Sequence, residues 1–496
     1  MGFQLGAIDT TILIAYGLVL VGMGIYFFRK TKTSEQFMVA GRGIPAWAAG
    51  LAVMSAYTSS ISYIAVPGKA FDSNWHPLIF ALAAIPVTWF VTKYVVPYYR
   101  KKKIISVYAY LEEKIGAWAS IYASISFVLF MIGRTAVILY LSSLLLSSFI
   151  AVDIRLLILA IGIVTIIYTL MGGMEAVIWT DVMQSVIMIG GIIFIAILLT
   201  KEVFARPDFL IQNAFDAGKF SLGESTLSLS SRTIWVMIIY GVSENVRNLI
   251  ADQNYTQKYC SVPDEKQAKR SVWIAMLIYL PLTALFLYIG TTLFAFYSGP
   301  DHMLGDAITK GDQVFPHFIA TQLPVGVKGL IIAAILAASM STMDSALNCS
   351  ATVLYVDYYK KYFRPTASER KSVRFLRLTT VIWGIAGIAV ALLLTNAQSA
   401  LDIWWIIAGI FGGGILGLFL LGVFNVNITR SQGIISVIFS VLIIIWGSFL
   451  RDLPDQFSMI ECTIDPIIIG AISTLGLVLL ALFFLMANLM SARKLT

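Results

Sequence analysis

Long apolar runs fill the chain from end to end, parted by short polar stretches rich in Lys and Arg. Each run holds about 18 or more apolar residues, enough for one helix to cross the roughly 30 Å hydrocarbon layer of a bilayer. The pattern predicts thirteen such helices, near residues 8–28, 46–68, 76–98, 117–147, 154–171, 174–200, 231–256, 271–297, 326–357, 375–394, 400–424, 432–450 and 465–489. Strands of a membrane barrel would show short alternating segments instead, so the expected fold class is an all-α polytopic membrane protein. The first run ends in "FRKTK" and not at a small-residue cleavage site, which marks it as a retained anchor.

Two segments break the pattern. The stretch "SAYTSSISYIAVPG", residues 55–68, interrupts the second helix, and "IIYGVSENVRNLIADQN", from Ile238, interrupts the seventh. With the first helix and the last two set aside, ten remain, and these breaks fall in the first and the sixth of the ten. Interrupted helices at corresponding positions of two halves point to an inverted-repeat transporter and to its binding site. The expected division is 1–45 as an extra helix and cytoplasmic loop, 46–200 as the first repeat, 201–230 as an outer loop, 231–424 as the second repeat, and 425–496 as two closing helices and a tail.

Unwound backbone is tolerated at membrane depth only where protein or a water-filled cavity satisfies its N–H and C=O groups. Freed carbonyls then suit a cation, and hydroxyls suit a hard cation or a sugar. Pro67 and Gly68 let the chain leave helical geometry. Tyr57, Ser59, Ser60 and Ser62 are therefore candidate ligand contacts in the first break, against the plainer reading that small polar residues pack helices closely.

Composition changes this picture little. The 496 residues are 58% hydrophobic and 12% charged, with a mean hydropathy of +0.84, far from soluble usage. A net charge of +8 would fit a nucleic-acid partner, but the basic residues gather in alternate loops such as "RKKK" and "KKYFRPTASERKSVRFLR". The positive-inside rule places those loops in the cytoplasm and the N-terminus outside. Cys260, Cys349 and Cys462 are expected in a cytosolic loop, a helix and an outer loop, which gives no disulfide framework. No metalloprotease, phosphate-loop or nucleophile-elbow motif is present, so no enzymatic chemistry is expected.

Charges inside the spans carry the remaining signal. Arg134, in "FMIGRTAVILY", lies mid-span, where an unpaired charge costs roughly 2.5 to 3.5 kcal/mol on insertion scales; its planar fork suits a carboxylate, whether a substrate's or that of Asp344 or Glu244. In "AAILAASMSTMDSALN", residues 333–348, Ser341, Asp344, Ser345 and Asn348 share one helix face, with Ala338 and Thr342 on a neighbouring stripe. A carboxylate among hydroxyls fits an alkali cation, or else a polar seam between helices. Asp181, in "GGMEAVIWTDVMQ", is either interfacial or part of a second cation site. The run "IAGIFGGGILGLFLLG", 407–422, reads as close packing or as a hinge at Gly412 to Gly414.

The two breaks, "GGMEAVIWTDVMQ" and "AAILAASMSTMDSALN" closely resemble the sodium:solute symporter family, whose members have the LeuT-type 5+5 inverted-repeat fold. Within it, "FVLFMIGRTAVILYL" and "PYYRKKKIISVYAYLEEKIG" resemble the bacterial sodium-coupled sialic acid transporters. The resemblance implies a first Na⁺ held by backbone oxygens of Ser55 and Thr58, the Ala338 carbonyl, and the hydroxyls of Ser341 and Thr342. It implies a second Na⁺ at Asp181, Ser341, Asp344 and Ser345, with Asp344 standing where a serine is expected. For substrate it points to Ser59, Ser62 and Arg134, and less specifically to Asn245; Tyr57 and Ala81 stand where that branch has threonine and glutamine.

The implied function is symport of Na⁺ with sialic acid across a bacterial plasma membrane, with lipid as surroundings and neither nucleic acid nor an obligate protein partner. One Na⁺ with a monoanion moves no net charge, and a tenfold ion gradient worth about 1.4 kcal/mol then supports roughly tenfold accumulation. A second Na⁺ adds as much again, and roughly 2.3 kcal/mol per 100 mV of membrane potential. The alternatives are a symporter of the same fold for proline or another sugar acid, a solute-sensing receptor, or a channel.

Overall fold

A computed structural model of the chain describes residues 5–147, 149–150, 152–205, 210–298, 304, 308–395, 414–451 and 459–493. The described residues form helices joined by short turns. Short helical segments aside, the principal ones in chain order are α1 (Ala7–Lys30), α2 (Ala46–Tyr57), α3 (Ser60–Asp72), α4 (Leu78–Phe90), α5 (Ala117–Ser147), α6 (Ile154–Phe204), α7 (Ile234–Val246), α8 (Gln253–Cys260), α9 (Glu265–Tyr297), α10 (Gly311–Gln322), α11 (Val327–Leu354), α12 (Glu369–Leu394), α13 (Ile415–Val423), α14 (Arg430–Phe449) and α15 (Ile469–Arg493). Nine helical segments among them are long and apolar enough to cross a membrane. The remaining expected spans fall on broken or kinked helices, apart from 400–424, most of which lies outside the described residues.

The centre of the molecule is α11. Every residue from Ile331 to Val353 is buried, the polar face of Ser341, Asp344, Ser345 and Asn348 included. Its alanines and serines let neighbours come close, and α6, α5, α1 and α12 all pack on it. Where the pattern predicts two spans at 154–171 and 174–200, α6 runs through both with a kink at Gly173, φ +59° and ψ −152°. A straight helix of 51 residues would be about 76 Å long, so the kink divides it into two crossings. Only glycine fits there: a Cβ would stand 2.8 Å from the Cα and the carbonyl oxygen of Phe37.

Both expected breaks are present. Helix α2 ends at Tyr57, Thr58 is extended at φ −111° and ψ 102°, and α3 begins at Ser60. Past α7, a π-helical turn at Arg247–Ala251 leads to Asp252, extended at φ −98° and ψ 116°, before α8. The four half-helices are too short to cross alone, and α2, α3 and α8 all pack on α9. One expectation is corrected: Cys260 lies not in a cytosolic loop but at the end of α8, all of which is buried. The hinge expected at Gly412 to Gly414 lies, but for Gly414, outside the described residues.

Candidate functional site

The first break converges on α11. The Ser55 carbonyl ends the helical ladder of α2, accepting from the Thr58 N–H at 3.1 Å. The Ser55 hydroxyl meets the Ser341 hydroxyl at 2.6 Å. Next to Ser341 in α11, Thr342 donates to the Ala338 carbonyl one turn back at 3.1 Å. Ser55, Thr58, Ala338, Ser341 and Thr342 are all buried, and of the five residues expected at the first cation site Ser55 and Ser341 touch across the seam between the end of α2 and the middle of α11. Carbonyl and hydroxyl oxygens with no nitrogen or sulfur among them suit a hard monovalent cation.

Next to this constellation lies a charged one. Asp181 of α6 and Asp344 of α11 are both fully buried. Tyr168 donates to Asp344 Oδ2 at 2.9 Å, Thr180 approaches the same oxygen at 3.4 Å, and Ser345 donates to Oδ1 at 3.2 Å. Asp181 takes a different partner. The Nζ of Lys258, in α8, stands 2.8 Å from Asp181 Oδ2, with neither side chain exposed, and also donates to the Ala52 carbonyl of α2 at 3.0 Å. Lys258 is absent from the sequence-based expectation. It lies just past the expected end of the seventh helix at residue 256, and nothing in a single sequence shows that "DQNYTQKYC" folds back as a buried half-helix.

Around the break, the expected substrate contacts divide. Arg134 donates from Nη2 to the Ala56 carbonyl at 3.2 Å, as does the Tyr255 hydroxyl at 3.2 Å. Neither acid offered as an internal partner reaches it. Glu244 pairs with Arg247, Asp344 faces the hydroxyls above, and among the described residues no carboxylate lies within ion-pair distance of Arg134. The Tyr57 ring packs against Tyr255 at 4.6 Å and Tyr279 at 5.1 Å, forming an aromatic wall, and Ser59 is half-buried in the break.

The others have structural occupations. Ser60 receives a 3.4 Å bond from Ser142, and Ser62 Oγ accepts from the Ser59 N–H at 3.3 Å, capping α3. Asn245 spends its amide donors on the carbonyls of Phe80 at 3.0 Å and Gly241 at 2.7 Å. Only its buried Oδ1 is left without a partner. Ala81 is buried in α4.

The model of the sodium:solute symporter family matches residues 37–440. The chain is 31% identical over 471 residues to the sodium/sialic acid symporter SiaT of Proteus mirabilis, covering 94% of this chain and 95% of that protein. It is 32% identical over 468 residues to the sodium/sialic acid symporter NanT of Aliivibrio fischeri, covering 94% and 92%. The solved structure of a Na⁺-coupled sialic acid symporter in a substrate-bound, outward-open state superposes with a TM-score of 0.88 at 30% identity, covering 97% of this chain and 98% of that one. Mhp1, a nucleobase-cation-symport-1 family transporter, superposes at 0.57 with 13% identity, a likeness of fold alone.

Proposed function

Because the chain belongs to the sodium:solute symporter family, we propose that it couples inward Na⁺ movement to the uptake of sialic acid, N-acetylneuraminate and its near relatives, by alternating access. The observation that carries the reading is Arg134: a guanidinium at mid-span, bonded to the carbonyl of Ala56, with no carboxylate at ion-pair distance among the described residues, beside a backbone break. A carboxylated substrate supplies the missing anion through two parallel hydrogen bonds. The aromatic wall of Tyr57, Tyr255 and Tyr279 offers the apolar side that a sugar ring or its acetyl group needs, and Ser59 offers a hydroxyl. The sodium/sialic acid symporters that the chain resembles along almost its whole length support that choice of acid.

Coupling follows from shared backbone. Na⁺ held by Ser55, Thr58, Ala338, Ser341 and Thr342 ties the end of α2 to α11. That fixes Ala56 and Tyr57, and with them the carbonyl that positions Arg134. An ion that orders the break in this way binds one conformation better than the other, and that difference is what shifts the population toward it. Substrate then meets a preformed site.

The test is uptake of labelled N-acetylneuraminate by proteoliposomes of the purified protein under an inward Na⁺ gradient, with unlabelled proline and other sugar acids as competitors. Saturable accumulation that collapses without Na⁺, and that only sialic acids inhibit, is expected. Inhibition by proline or another acid in their place would keep the symporter and change its substrate. Facilitated flux without accumulation would make it a channel.

A further inference from the structure

The constellation of Asp181, Ser341, Asp344 and Ser345 has the composition of a second sodium site, yet the structure already holds a cation there. We propose that the Lys258 ammonium takes the place of a second Na⁺, so that this symporter binds and moves one sodium ion per cycle. The inference deepens the proposed function and rests on it.

Three observations carry it. The Lys258 Nζ lies 2.8 Å from Asp181 Oδ2 with both side chains wholly buried, the position and charge that a sodium ion on that carboxylate would have. A second cation there would stand beside the ammonium in a dry interior, where like charges repel strongly. The ammonium is also fixed from a second side, because it donates to the Ala52 carbonyl at 3.0 Å; it bridges α8, α6 and α2 and is not a side chain passing through. Finally, the remaining oxygens are engaged apart from Asp181 Oδ1. Both oxygens of Asp344 face hydroxyls, those of Tyr168, Thr180 and Ser345, and Ser341 is bonded to Ser55 of the first site.

The expected serine at 344 is thus an aspartate in a chain that also brings a lysine to the cluster. Lys258 moves with α8 and cannot leave with the substrate. It performs the structural part of the second ion's task, joining half-helices to α6, without contributing its gradient.

The experiment counts sodium directly. Equilibrium dialysis of purified protein against ²²Na⁺ gives ions bound per chain without requiring any transport, and proteoliposome uptake gives the Hill coefficient for Na⁺. Wild type is expected to bind one ion, with a Hill coefficient near one and uptake of the monoanion indifferent to imposed voltage. Lys258→Ala vacates the position and is expected to bind two, with the Hill coefficient moving toward two; Lys258→Arg keeps the charge and the count of one.

Two ions on wild type would overturn the proposal and place the second at Asp181 Oδ1, which has no hydrogen-bond donor. One ion on both wild type and Lys258→Ala would overturn it too, since Lys258 would then exclude nothing. If Lys258→Ala does not fold, the wild-type count decides alone. Failure of sialic acid uptake would remove the substrate reading and leave the sodium count to be read.

Discussion

At the scale of single residues, the proposed ion and substrate contacts fall on different side chains, so each can be removed separately. Thr342 donates only to Ala338 within its own helix, and alanine is the better helix former. Thr342→Ala is therefore expected to leave the melting temperature of the sodium-free protein nearly unchanged. Loss of one oxygen ligand, comparable to a hydrogen bond to a charged group at about 1.5 to 3 kcal/mol, raises the Na⁺ half-saturation concentration by roughly tenfold to a hundredfold. A sodium titration of uptake checks it; an unchanged midpoint removes Thr342 from the site. Arg134→Ala is expected to abolish acid binding in a ligand-induced thermal shift while sodium still stabilises the protein, because truncating one member of a buried charge pair costs about 2 to 5 kcal/mol. Normal affinity would give Arg134 a structural role. Hydroxyls on a helix face and a lone mid-span charge were legible in the sequence because membrane burial makes such residues costly. Lys258 was not, since a lysine in a polar run looks the same whether the run is solvated or folded inward. Ser62 and Asn245 show the converse: a polar side chain at a break is as useful for capping backbone as for meeting a ligand.

At the scale of elements, the apolar pattern located the helices well because each has to satisfy its own backbone across a bilayer. Both broken helices were visible for the same reason, as clusters of Ser, Asn, Gly and charged residues where a smooth span would be cheaper. The pattern did not show how the pieces join. The gap expected at residues 172 and 173 is not a loop; it is a kink made by one glycine, and its partner, Phe37, is far away in sequence. Gly173→Ala adds a side chain at φ +59° and ψ −152°, a region essentially reserved for glycine and worth about 1 to 3 kcal/mol of strain, and drives it into the Phe37 backbone. A clear fall in thermal stability is expected. Gly190→Ala, where a Cβ meets open space, is the control and should melt as wild type does. Because the kink orients the half of α6 that carries Thr180 and Asp181, any folded Gly173 variant should also bind sodium more weakly.

At the scale of the whole molecule, described parts of the loops on the face opposite the basic ones are tied into a cover. Trp75 bonds to Ser221, Ile234 to Glu224, and Asp465 to Leu229 through their backbones, so the stretch between α6 and α7 ties the start of α4 to the approach to α15. His76 is buried in this cover. Its Nδ1 lies 2.8 Å from Asn74 Oδ1, so the neutral ring carries its proton there. Burial, with Arg232 and Lys69 beside it and only Asp465 opposing them, lowers its pKa from 6.5 to about 4. The direction fixes the sign of the pH effect. Between about pH 4 and pH 6.5 the unfolded chain binds a proton at this ring that the folded protein refuses, so stability rises with pH across that window. The contribution is complete above pH 6.5 and is lost as pH falls toward 4, where both states are protonated and the slope vanishes. Thermal melts of the detergent-solubilised protein from pH 4 to 7 are expected to show this acid limb, and His76→Gln, which keeps a polar side chain without a titrating ring, should flatten it. An unaltered limb in that variant would assign the acid sensitivity to other groups. A flattened limb, together with sodium binding that stays as in wild type at neutral pH, would show that the cover responds to acidity separately from the ion site beneath it.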